Sequence, residues 1–171
     1  MSQGDSTPAG RQMIAQLLQI HNPMRADIEV LDEALALLSN ATADSSRVPE
    51  MIAGLTVAKF LWQLRVNCDY FCNVLNGHHD LEDHRMFPVM LRRFPELGPA
   101  VARLRSEHRQ VHQLVTETKS AALNLTEEHR TVERAHAAIK NLAEHLRAHL
   151  KFEEDTMFPY FRRMDTDWHL G

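Results

Sequence analysis

A chain of 171 residues suits one domain and is long enough to bury a core of its own. With 44% apolar and 25% charged residues it has an ordinary globular composition, and a net charge of −4 leaves no basic footprint for nucleic acid. Six glycines, few aromatic residues and abundant Ala, Leu, Glu and Arg favour helix over strand.

Residues 1–10 are small and polar, broken by Pro8 and Gly10, and read as a flexible tail with no secretory signal. From Arg11 the apolar residues recur at helical spacing, with Ile14, Leu17, Leu18, Ile28 and Leu31 near the face that carries His21. Asn22-Pro23 reads either as an N-cap followed by proline in the first turn or as a kink. This helix is expected to run through Leu38 and stop in the polar stretch 39–46. Pro49-Glu50 opens a second long helix, with Leu55, Ala58, Trp62, Phe71, Val74 and Leu75 on its apolar face, stopped or kinked at Pro88. Cys68 and Cys72 stand one turn apart on it and read as reduced packing residues.

Residues 94–99 form the next break. The third helix carries Val101, Leu104, His108, Val111, His112 and Val115 as one stripe and runs to about Leu123. Thr126, in the short connection 124–128, is placed to cap the fourth helix. That helix bears Ile139, Leu142, Leu146, His149, Phe152 and Glu153 before Pro159, and residues 165–171 read as a C-terminal tail. Four long amphipathic helices with short connections predict an all-α, up-down-up-down four-helix bundle over residues 11–164. No stretch reaches the ~18 uninterrupted apolar residues of a membrane span, so a cytoplasmic location is the default expectation.

The anomaly is eleven histidines, together with one stretch that occurs twice. His78-His79-Asp80-Leu81-Glu82-Asp83-His84-Arg85-Met86-Phe87-Pro88 and His149-Leu150-Lys151-Phe152-Glu153-Glu154-Asp155-Thr156-Met157-Phe158-Pro159 share the pattern His-x-x-x-Glu-acid-x-x-Met-Phe-Pro. An imidazole and a carboxylate four apart lie one above the other on a helix face, which is how one helix offers two ligands to one site. A lone pair of this kind is usually a surface ion pair, and a lone histidine on an apolar stripe is usually a hydrogen-bonded core residue. Here His78 is backed by Phe71, Val74 and Leu75, and His149 by Leu142, Leu146 and Phe152. The other two helices add His21, and His108 with His112. Burying these groups without partners would cost several kcal/mol per ion, a penalty that metal coordination removes by binding the deprotonated forms.

The candidate ligands are therefore His21, His78, Glu82, His108, His112, His149 and Glu153. His79 stands as the fallback for His78, and His145 as a supporting or alternative group. His84, His129, His136 and His169 read as surface or supporting residues, and Arg92-Arg93 and Arg162-Arg163 as solvated faces. Seven ligands can hold two ions if both glutamates bridge. A nitrogen and carboxylate set without thiolates argues against structural zinc and suits iron, with manganese or zinc as substitutes. A zinc-protease His-Glu-x-x-His is absent, and only Glu133-Arg134-Ala135-His136 has the Glu-x-x-His spacing of ferritin-type sites.

The Ile20-His21-Asn22-Pro23-Met24-Arg25 opening, the doubled motif and His108 resemble the hemerythrin-like (HHE cation-binding) domain over about residues 11–164. The resemblance implies a non-haem di-iron centre. His108, His112 and His149 would bind one iron and His21 and His78 the other, with Glu82 and Glu153 and an oxo or hydroxo group bridging. The invertebrate oxygen carriers place their last carboxylate five residues after the histidine, where this chain has Glu154. Glu153 has the HHE-type spacing and matches Glu82 in the repeat. Many HHE domains have no counterpart of His112. An open position on such a centre implies dioxygen, nitric oxide or peroxide as ligand, with Phe71, Leu75, Leu104, Val111, Leu146 and Phe152 as an apolar wall against water. The expected function is oxygen or nitric oxide binding, storage or sensing. Catalase- or peroxidase-like detoxification, or an iron-holding module read by a partner, are the alternatives. Whether the chain is an enzyme, and its oligomeric state, stay open.

Overall fold

The computed structural model of the chain describes residues 6–43, 74–125 and 128–166, apart from some side chains near residue 40. These residues form helices and short connections, with no strand among them. Helix α1 is Pro8–Ala43. Helix α2 comprises residues 74–81, a π-helical turn Glu82–Met86 and the α-helical Phe87–Arg93. A 3-10 turn, Pro95–Leu97, leads into α3, Gly98–Leu123, and α4 is His129–Phe161.

Helix α1 begins inside the stretch expected to be a tail. Pro8 has no N–H to leave unpaired at a helix start, and the Thr7 hydroxyl accepts the Gly10 N–H at 2.9 Å, which caps it. The Thr7 hydroxyl also donates to the Met164 carbonyl, and its N–H donates to the Arg162 carbonyl at 3.2 Å. The chain start is thereby fastened to the end of α4. At the far end α1 continues past Leu38 to Ala43, because residues 39–43 contain neither glycine nor proline to stop it. Pro23 lies inside the helix, and the carbonyl it leaves without a donor belongs to the exposed Gln19, where water is available.

Helix α2 departs from expectation at Pro88, which falls in the first turn of the resumed helix instead of ending it. The Phe87 N–H reaches back five residues to the Glu82 carbonyl, closing the π-turn. The wider turn carries an extra residue, so the neighbours Met86 and Phe87 are both buried. Their counterparts in the α-helical second copy are the buried Met157 and the half-buried Phe158. Val74, expected on the apolar face, is 40% exposed, whereas Leu75 is fully buried. The proposed start of this helix at Pro49, Leu55, Ala58, Trp62, Cys68, Phe71 and Cys72 lie outside the described residues, as do Thr126 and His169.

Cross-helix contacts fix the chain directions. α1 meets α4 at His21–Glu154 and again at Ser39–His136, so the two run antiparallel. α3 meets α4 at Glu107–His149 and Thr118–Ala138, and α2 meets α3 at His79–His112 and Asp83–His108. His21 faces His78, while Met13 and Leu17, before His21 on α1, share a core cluster with Met86 and Phe87, after His78 on α2, so these two helices are antiparallel as well. The result is the expected up-down-up-down bundle. One core cluster, including Leu104, Met157 and Phe161, fills the end where α1 begins, and another, including Leu75, Val111 and Leu146, fills the middle. On every helix the inward histidines fall between the residues of these two clusters. Among the described residues, no helix is long and apolar enough to cross a membrane.

Candidate metal centre

Each helix turns a polar side chain into the gap between the two apolar clusters. His21 comes from α1, His78, His79 and Glu82 from α2, His108 from α3, and His149 and Glu153 from α4, and all are buried. Their donor atoms fall into two groups. One atom each of His21, His78, Glu82 and Glu153 lies within 4.8 Å of the others, and the same holds for His79, His108 and His149. His78 and His79 serve different groups because adjacent helical positions diverge by about 100° around the axis.

The two glutamates lie between the groups. Glu82 places Oε1 3.2 Å from His78 Nε2 and Oε2 3.4 Å from His108 Nε2. Glu153 Oε2 lies 3.4 Å from His21 Nε2 and 3.8 Å from His149 Nε2. The His21 and His78 Nε2 atoms are 3.1 Å apart. Two nitrogens bound at right angles to one ion, with bonds of roughly 2.1 Å, stand about 3 Å from each other.

The imidazoles are aimed from behind. His21 Nδ1 donates to Glu154 at 2.8 Å, and Arg25 holds the same Glu154 oxygen at 2.6 Å. His108 Nδ1 donates to Asp83 at 3.1 Å, and Arg105 donates to the Asp83 carbonyl at 2.8 Å. His149 Nδ1 donates to Glu107 at 3.1 Å, and Arg103 holds the other Glu107 oxygen at 2.7 Å. Three histidine–carboxylate–arginine chains therefore fix ring orientation and tautomer, turning Nε2 inward as a lone-pair donor.

The inward atoms themselves are unmatched. Both oxygens of Glu82 and of Glu153, and Nε2 of His79, His108 and His149, are buried without a hydrogen-bond partner among the described residues. Burial drives the His78 pKa down to about 3, and burial together with neighbouring imidazoles also lowers His79 and His108. Burial and the adjacent Glu153 charge push Glu82 well up. For Glu153 the opposing pull of His21 exceeds the burial effect and lowers the pKa; for His21 the two flanking glutamates outweigh burial and raise it. Imidazoles and two carboxyl groups with their inward atoms left over form a donor set suited to a cation, which binds the deprotonated forms.

Of the seven predicted ligands, His21, His78, Glu82 and Glu153 come together, and His108 and His149 come together beside them. His112 does not join them. It is half-buried on the outer side of α3, with Nε2 3.1 Å from His79 Nδ1, and His79 occupies the inward position. His78 and His79 thus both point inward, where one was expected to substitute for the other. Glu154 contacts His21 from outside the group, while Glu153 lies within it.

Sequence reasoning overlooked Asp83, Glu107 and Glu154 as orienting residues. The signal available was the second acid of the repeat, since Asp83 and Glu154 occupy the same place in both copies. Glu107 had none, because it lies outside the repeat. Of the remaining histidines, His84 is exposed and bonds the Asp80 carbonyl, while His129 is exposed beside Glu133. His136 is half-buried at Ser39, and His145 is half-buried. Arg92, Arg93, Arg162 and Arg163 are exposed, with Arg93 paired to Asp165 at 2.8 Å and Arg163 lying over the Phe94 ring.

Comparison with protein families finds a match over residues 12–161 to the sequence model described as the hemerythrin HHE cation binding domain. No curated protein and no solved structure matches the chain.

Proposed function

The chain belongs to the hemerythrin HHE cation-binding family, and from that premise we propose that it holds two non-haem iron ions between its helices and binds a small oxidant there, for oxygen or nitric oxide binding, storage or sensing. The observation that carries the reading is the set of buried, inward-facing donor atoms that have no hydrogen-bond partner among the described residues. Iron, when bound, supplies reversible electron exchange with a small ligand at an open coordination position.

The protein's own part is positioning and exclusion. Glu82 and Glu153 span the two groups, His21 and His78 define one ion position, and His108 and His149 define the other. Leu75, Leu104, Val111 and Leu146 are buried along the helices above and below the centre and form the expected dry wall. Phe152 is half-buried under the Arg103 guanidinium, 3.6 Å from its ring centroid, and so forms part of the rim. A cavity of about 230 Å³ opens beside His78 and Glu82, with Met13, Leu17, Ile20, Leu81 and Met86 in its lining. That cavity has room for a diatomic molecule or peroxide.

Visible spectra of the iron-loaded protein under nitrogen, air and peroxide test the proposal. A band that appears in air and reverses under nitrogen supports binding or sensing. Oxygen evolution from peroxide, lost in Glu82→Ala, moves the function to catalase-like detoxification. Failure to take up stoichiometric iron removes both.

A further inference from the structure

We infer that His79 is the third imidazole donor at the ion position of His108 and His149, and that His112 is its positioning residue. The inference rests on the two-ion reading above and concerns which residues complete it.

His79 repeats the arrangement found at the three histidines held by carboxylates. With Nδ1–H donating to His112 Nε2 at 3.1 Å, its Nε2 is left buried, inward-facing and without a partner among the described residues. A histidine kept only for packing would leave that nitrogen desolvated for no return. Its ring stacks on His108 with centroids 3.9 Å apart and an interplanar angle of 6°, and meets His149 edge-on at 5.3 Å. The His112 ring centroid lies 5.2 Å from that of His79, and its Nε2 is occupied by the His79 Nδ1 contact. For His112 to reach the group, His79 would have to leave it.

Helix α2 therefore provides three inward donors and reaches both ion positions, while α3 provides one. In the second copy of the repeat the residue aligned with His79 is the buried Leu150. The internal symmetry is broken at this position, so one ion position has three imidazoles and the other has two.

Anaerobic titration with ferrous iron-57 decides the matter, reading bound iron after gel filtration and the number of Mössbauer doublets. Wild type should take two ions per chain. His79→Asn keeps a nitrogen on the His112 side and removes the inward one, and His79→Ala removes both; each should hold one ion with one doublet lost. Circular dichroism of the metal-free variants identifies any that fails to fold, and the asparagine variant preserves most of the packing. His112→Ala should keep two ions, bound about 10–100-fold more weakly. Two ions retained in a His79 variant, or one lost in His112→Ala, overturns the assignment. Fewer than two ions in wild type overturns the two-ion reading itself, whatever the variants do.

Discussion

The nitrogens that matter at this centre are controlled by atoms on the far side of each ring. Glu154 sits between His21 and Arg25, and its carboxyl is held below the usual range because those two contacts outweigh its partial burial. Replacing Glu154 by Gln keeps the shape and allows His21 to rotate or change tautomer. Metal affinity should fall about 10–100-fold with the fold intact, and Asp83→Asn should do the same through His108. Competition with a chromophoric chelator measures both. Proton linkage gives a second expectation. His78 titrates near 6.5 when unfolded and about 3 when folded, so between those values the unfolded chain binds more protons. Metal-free protein should therefore lose stability as pH falls below 6.5, by about 1.4 kcal/mol per pH unit for each such group. His79 and His108 act in the same direction, while His21 and Glu82, both raised in the fold, oppose them. A thermal midpoint that rises from pH 7.5 to 5 would contradict this. At this scale the inward His-x-x-x-Glu pairs were legible because the spacing that aligns them also sets them on an apolar stripe. The choice between His79 and His112 was not, since it depends on which of two facing helices brings its imidazole further in.

Helix existence and order were legible from apolar periodicity, and helix ends were not, because long-range contacts set them. The start of α1 is the clearest case. Pro8 and Gly10 read locally as breakers, yet Gly10 is buried where α1 crosses the end of α4. A Cβ there would stand 2.2 Å from the Phe161 carbonyl oxygen, a backbone atom that cannot swing away. Gly10→Ala would gain helix propensity in an isolated peptide, but here it should cost roughly 1–3 kcal/mol as an overpacking change. Chemical denaturation of the metal-free protein gives the sign, and a more stable variant would mean that the crossing is looser than described. The π-turn has no comparable local signature, since the same Glu-acid-x-x-Met-Phe-Pro pattern is regular α-helix in its second copy. What separates the copies is what they pack against: Phe87 lies 5.7 Å from the His108 ring, in near-parallel stacking, inside the core.

At the scale of the whole bundle, the centre divides the core. Two apolar clusters that could have been continuous are separated by carboxyl groups and imidazoles, most of whose inward atoms have no hydrogen-bond partner among the described residues. An interior arranged in this way is destabilised without a cation and stabilised with one, because desolvated donors are costly alone and a ligand bound only to the folded state adds RT ln(1 + [L]/Kd). Glu82→Met isolates this trade. The side chains are similar in volume, and Glu82 is only 2% exposed, with both oxygens unmatched and its pKa driven up by burial and by Glu153. In EDTA the variant should be more stable than wild type by about 1–3 kcal/mol, the desolvation penalty of the removed group. With excess ferrous iron the order should reverse: at a free concentration 100 times Kd the wild type gains about 2.7 kcal/mol per site, while the variant has lost the carboxylate that spans both sites. Paired thermal melts with and without metal read both differences. A variant less stable than wild type in EDTA would show that Glu82 contributes to the metal-free fold, and that the two clusters are not separated for the sake of a cation.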